Sequence, residues 1–136
     1  MATAGYSNTP LLKKLGITNS MKVQLVRAPD AYFDWLGTDI RDQLAGPADI
    51  PDLVHVFASS NQVFKTALQK LKAVYKANPQ VIIWVSWYKK SAGIPTDLTE
   101  DVIRNYALQN DLVDVKVCAV TETWSGLKLV VPKAKR

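Results

Sequence analysis

The chain has 136 residues, 48% of them hydrophobic and 21% charged, with a formal net charge of +5 at pH 7. That is the usage of an ordinary folded domain, which excludes intrinsic disorder, and the length suits a single domain over 1–136 whose core needs neither disulfides nor a structural metal. Residues 1–20 lack a basic head followed by an apolar run, and the longest apolar stretch, 81–85, is far short of a bilayer span, so a cytoplasmic protein away from the membrane is expected.

Residues 1–8 are expected to be flexible. Thr9 then offers an N-cap, Pro10 a first helical position and Gly16 a stop, which together predict a short helix. Residues 21–26 read as a first strand with apolar residues on both faces. Directly after it stands Arg27-Ala28-Pro29-Asp30, where a nucleotide-binding α/β domain places a glycine-rich phosphate turn. A Cβ at such positions obstructs both a positive φ and the close approach of backbone to phosphate, so the usual cofactor cradle is not supported.

A short helix over 31–36 closes at Gly37, and the stretch 38–51, broken by Gly46, Pro47 and Pro51, has room for at most one short strand around Ile40 or Leu44. Residues 53–58 form a second strand carrying His55, and Ser60 or Asn61 is placed to cap the next helix. That helix has Val63, Phe64, Ala67, Leu68, Leu71, Val74 and Tyr75 on one face and Lys65, Gln69, Lys70, Lys72 and Lys76 on the other, and it stops before Asn78-Pro79.

Residues 81–87 are apolar apart from Ser86, as in a central strand covered on both faces. The run from Pro95 to Glu100 starts another helix, with Asp97 and Glu100 spaced as a capping box and Val102, Ile103, Tyr106 and Ala107 as the buried side, fading near Asn110. Residues 113–117 alternate in polarity and lead into Cys118, which reads as a buried strand thiol. After Trp124-Ser125-Gly126 a last strand over 127–131 should pair with them antiparallel. One Cys and one His at these places give no metal-ligand spacing, and no metal is expected.

The order predicts an α/β domain: a small three-layer Rossmann-like sheet, mostly parallel, with a C-terminal antiparallel hairpin. Over residues 9–131 this layout resembles the class I methyltransferase fold. That resemblance implies S-adenosylmethionine on a glycine-rich turn after the first strand and an acidic residue after the second to hold its ribose. Here the turn lacks glycine, only 26 residues (27–52) separate the first two confident strands, and Asp39 or Asp42 would have to supply the acid. The donor is therefore disfavoured as a cofactor, and methyl transfer stands as the alternative function. The runs Thr9-Pro10-Leu11-Leu12-Lys13-Lys14-Leu15-Gly16, Trp84-Val85-Ser86-Trp87, Pro95-Thr96-Asp97-Leu98-Thr99-Glu100-Asp101, 113–120 and 123–127 are similar to a family of small bacterial proteins of unknown function.

Open α/β sheets gather ligands outside the carboxyl ends of their parallel strands. Those ends deliver Arg27 and Asp30, then Ser59, Ser60 and Asn61, then Trp87, Tyr88, Lys89, Lys90 and Ser91. Cations, aromatic surface and hydroxyls suit a planar anion, with the helix start near Asn61 adding partial positive charge. Two readings of Trp87 stand: a crevice wall, or a core residue beside two solvated lysines. No Ser-His-Asp order and no metal set is visible, so no catalytic residue is assigned. The residues favour a non-catalytic or accessory domain that binds a small anionic ligand or a protein partner. Thr96-Asp97-Leu98-Thr99-Glu100-Asp101 reads as helix capping and Trp124 as packing over the sheet end. The tail residues Lys133, Lys135 and Arg136 supply three of the positive charges in a stretch, 132–136, expected to be flexible, so nucleic acid is disfavoured as a partner, and weak basic nucleic-acid binding through the tail and Lys89-Lys90 with Trp87 and Tyr88 stands as a second alternative function.

Overall fold

A computed structural model describes residues 10–136, so the expectations for 1–8 and for Thr9 as a cap lie outside it. The apolar, β-branched runs form one five-stranded sheet: β1 (Val23–Val26), β2 (Leu53–Phe57), β3 (Ile82–Tyr88), β4 (Val113–Ala119) and β5 (Trp124–Val130), in the order β1-β2-β3-β5-β4. β1, β2 and β3 run parallel, and β5 runs antiparallel to both β3 and β4. This is the expected α/β architecture, mostly parallel with a C-terminal hairpin.

Side chains alternate across the sheet and feed two cores. Leu53, Phe57 and Trp84 pack beneath α1 (Leu11–Leu15) and α2 (Tyr32–Leu36). Val54, Val56, Ile83, Val85, Leu127 and Leu129 pack beneath α3 (Asn61–Ala77) and α4 (Glu100–Gln109). Because every residue of β2 is buried, that strand can carry no exposed polar position, which explains its unbroken apolar sequence apart from His55. No helix among the described residues is long and apolar enough to cross a membrane.

Three details differ from the sequence reading. Helix α1 has Pro10 at its cap position instead of its first helical position, with the Pro10 carbonyl accepting from the Lys13 and Lys14 N–H groups. Helix α4 is capped by Thr99, whose hydroxyl accepts from the Val102 N–H at 3.3 Å; a capping box would need an acid or amide at Val102, so Asp97 and Glu100 form none. Strand β5 begins at Trp124, because Trp124 and Ser125 pair with Tyr88 and Trp87 of β3. Gly126 continues the pairing. A Cβ there would stand 3.1 Å from Val120 and 3.3 Å from the Trp84 ring, so glycine lets those two side chains close over the strand.

The segment between β1 and β2 is short but not featureless. After α2 and a 3-10 turn (Arg41–Gln43), Leu44 makes one isolated parallel bridge with Val23 on the free edge of β1, and the Ala45 N–H donates to the Val23 carbonyl at 2.8 Å. The strand anticipated near Ile40 or Leu44 is thus a single residue pair, while Ile40 is buried in the core with α1 and α2. The chain leaves β1 over one face of the sheet and β2 over the other. Crossovers that part in this way open a crevice at the carboxyl ends of the strands between them. At the far end the tail forms a 3-10 turn (Lys133–Lys135); Lys135 pairs with Asp111 at 2.6 Å and the Arg136 Nε donates to the Val131 carbonyl at 2.8 Å.

Candidate functional site

Strand alternation sends Trp87 toward the α3–α4 face and Tyr88 toward the other. Beyond them a 3-10 turn (Lys90–Ala92) ends at Gly93, whose φ of 70° reverses the chain and sends Ile94, Pro95 and Thr96 back toward α4. The reversal encloses an open cleft of about 720 Å³. Trp87, only 8% exposed, and the buried Leu98 give it an apolar floor, and Ile94 and Pro95 form one side. Lys89, Lys90, Ser91 and Ser125 supply polar groups, and the first turn of α4, Thr99 to Asp101, closes the opposite side. Both readings of Trp87 therefore hold at once: it is packed in the core and still floors the cleft.

Ion pairing divides the charges of this cleft between its two sides. Glu100 and Asp101 are both bound by Arg104, which also reaches Asp114 on β4 at 3.0 Å, and Glu100 and Asp114 hold the Arg104 guanidinium above its ordinary pKa. Lys89 and Lys90 make no ion pair with any described residue. Arg104 draws the carboxylates to the α4 side, which leaves the two unpaired ammonium groups beside the indole ring to meet an anion. Tyr88 lies against Trp124 with the rings tilted by 30° and 4.4 Å between ring centres, and Trp124 stands edge-on to Phe57 at 5.0 Å, so Trp124 packs over the sheet end.

The other residues anticipated from sequence divide into two groups. Ser59, Ser60 and Asn61 lie at the start of α3. Ser60 is the cap, accepting from the Val63 N–H at 3.2 Å, and the exposed Ser59 offers its carbonyl to the Thr96 hydroxyl at 2.9 Å. The Asn61 N–H donates to the Asp97 carboxylate at 2.8 Å. A carboxylate of the chain itself thus already meets the positive end of α3, where the sequence reading expected a ligand. Arg27 and Asp30 stand apart at the end of β1. Arg27 is exposed with φ of 58°, and Asp30 borders a separate hollow with Asp34, Asp39 and Arg41. The bend that glycine makes at low cost in related folds is made here by an arginine, contrary to the expectation that a side chain would prevent it.

Sequence reasoning did not place Ile94, Leu98, Thr99 or Ser125 at the site. Ser125 was hidden by its turn-like neighbours. The remaining three belong to a loop and helix start whose capping chemistry was visible, but whose fold back over β3 carries no periodic signal.

A second polar constellation lies sealed under α2. The Tyr32 hydroxyl is 2.8 Å from His55 Nδ1, His55 Nε2 is 2.7 Å from Ser86 Oγ, and His55 and Ser86 are both fully buried. Burial pushes the imidazole pKa down to about 3 and the Tyr32 hydroxyl up, so both are neutral at physiological pH. A neutral imidazole has one N–H, which donates to one neighbour while the other nitrogen accepts. The ring also stacks on Phe57 at 4.3 Å. A Tyr-His-Ser line could suggest a nucleophile, but with Tyr32 at 1% exposure and Ser86 at 0% no substrate reaches it. Cys118 is half-buried, and burial pushes its thiol up, away from the reactive thiolate. Among the described residues no three His, Cys, Asp or Glu side chains gather as metal ligands.

No protein-family model and no curated protein matches this sequence. Solved structures do. A protein of the NADB-Rossmann superfamily from Streptococcus agalactiae is 12% identical with a TM-score of 0.53, the match covering 93% of this chain and 70% of that one. An uncharacterized protein from Listeria monocytogenes serotype 4b is 10% identical with a TM-score of 0.58, covering 93% and 69%. The tRNA methyltransferase TrmK of B. subtilis is 8% identical with a TM-score of 0.53, covering 93% and 67%. Such identities speak for the fold alone: the chain is a Rossmann-like α/β domain with a methyltransferase-like layout.

Proposed function

We propose that this protein is a binding domain for a small planar anion, held in the cleft between the end of β3 and the start of α4. The observation that carries this reading is the pairing pattern: Arg104 engages Glu100 and Asp101, while Lys89 and Lys90 stand unpaired among the described residues beside Trp87. An aromatic ring of the ligand would lie against the Trp87 and Ile94 side, its anionic group toward the two ammonium groups, with Ser91 and Ser125 as hydrogen-bond partners. Calorimetry and thermal shift with nucleoside monophosphates and aromatic carboxylates test it. Binding by one class, weakened at least tenfold (about 1.4 kcal/mol) in Lys89→Gln/Lys90→Gln, is expected. A panel in which nothing stabilises the protein contradicts the reading.

A second reading, methyl transfer, draws on the likeness to TrmK. Its donor would belong at the parting of the crossovers, at the ends of β1 and β2. The residues there do not fit S-adenosylmethionine well. Pro29 has no N–H to offer, Arg27 puts a side chain where the backbone would need to approach, and the Asp39 carboxylate is held by Arg41 at 2.5 to 3.0 Å, which keeps its pKa down to about 2. Titration with S-adenosylmethionine decides: absence of binding at millimolar donor removes this reading, and micromolar binding establishes a donor site.

A further inference from the structure

We propose that the solvent face of α3 and the C-terminal tail form a second binding surface, a row of ammonium groups (Lys65, Lys72, Lys76 and Lys135) that takes a nucleic-acid backbone. Helix α3 runs for 17 residues with four lysines and no carboxylate. No Asp or Glu occurs anywhere from residue 53 to residue 96. At roughly 100° and 1.5 Å per residue, Lys65, Lys72 and Lys76 fall within an arc of about 40° and span about 16 Å along the helix. Lys135 continues the row, because it lines a cleft of about 590 Å³ together with Lys72, Lys76 and Tyr75.

Lys65, Lys72 and Lys76 make no ion pair with any described residue, and the residues preceding the described ones, 1–9, contain no acid. The one carboxylate at the cleft, Asp111, pairs with Lys135; Lys135, and more weakly Lys72 and Lys76, hold its pKa below the ordinary value. Three ammonium groups therefore border one carboxylate at the cleft, and Lys65 extends the row along α3. The contrast with α4, where a single arginine meets three carboxylates, marks the row as uncompensated charge rather than ordinary surface. From sequence the tail charge stood apart from the body; the fold sets it beside the α3 lysines.

The shape of the row favours one kind of polyanion. It is longer than a small anion, and the exposed amides Gln62, just before it, and Gln69, between Lys65 and Lys72, suit phosphate and sugar contacts better than a lipid surface, which would take up large apolar side chains.

The test is fluorescence anisotropy with labelled 20-base-pair duplexes and single strands between 50 and 200 mM salt. Four phosphate contacts predict that log K falls with log salt with a slope of about −3.6 on duplex, and that each Lys→Gln change in the row reduces the slope by about 0.9. Lys65→Gln/Lys72→Gln/Lys76→Gln should bind at least tenfold more weakly at 100 mM salt, and the matching Lys→Arg variant should bind as the original protein does. Circular dichroism checks that each variant is folded. The proposal is overturned by a triple Gln variant within twofold of the original, by loss of all binding on removing 132–136 alone, or by loss in Lys89→Gln/Lys90→Gln instead. It is equally overturned by no binding at 50 mM salt, or by anionic vesicles that bind as tightly as nucleic acid through the same lysines.

Discussion

His55 shows what one residue can hide. Its place in an apolar strand was legible, but its partners Tyr32 and Ser86 lie 23 and 31 residues away, and no local pattern could pair them. Removing the Tyr32 hydroxyl leaves a buried nitrogen without its neighbour, so Tyr32→Phe should destabilise the protein by about 1–3 kcal/mol in urea unfolding. The pH dependence follows from the same burial. Folded His55 takes a proton only near pH 3, whereas the unfolded side chain takes one near the ordinary value of 6.5. The contribution of neutral His55 is complete above pH 6.5 and is lost as the pH falls toward 3, at roughly 1.4 kcal/mol per pH unit. Unfolding at pH 6.5, 5.5 and 4.5 should therefore show the original protein losing stability faster than His55→Gln; parallel losses would mean that the folded ring is protonated.

Among the elements, strands were the most readable, since β2 and β3 are apolar runs buried on both faces and the hairpin alternates. Element ends were less so. One depends on a partner far along the chain: Asp97 resembles a cap for α4 but bonds to Asn61 of α3, and Thr99 does the local work at α4. Thr99→Ala should cost about 1 kcal/mol, read by thermal unfolding, with the loss centred on α4 in hydrogen exchange. At β5 the turn-like Ser125-Gly126 concealed strand pairing against β3. Gly126→Ala should destabilise by about 1–3 kcal/mol, because Trp84 and Val120 must move aside; an unchanged midpoint in denaturant would show that the two side chains have room to yield. Edge strand β4 exposes Val115 and Val117, but a register shift between Asp114 and Lys116 breaks its edge, a feature that discourages pairing with another chain.

At the scale of the whole molecule, the topology brings the anticipated strand ends to one rim and the packing divides them. The three strand ends do lie along one rim of the sheet, as parallel strands require. The loop after β3, however, folds back over α4 and joins Trp87, Lys89, Lys90 and Ser91 in one cleft, while Asp97 and Thr96 tie off the end of β2 and Arg27 and Asp30 face elsewhere. Sequence could propose the residues but not this division, which depends on a loop with no periodic pattern and on charge pairs made across elements. The most direct measurement is a two-dimensional ¹H–¹⁵N NMR titration with a nucleoside monophosphate and an aromatic carboxylate. The account predicts amide shifts concentrated at 89–91, 96–101 and 125, and lost in Lys89→Gln/Lys90→Gln. Shifts concentrated at 28–30 and 59–61, with the cleft unmoved, would contradict it.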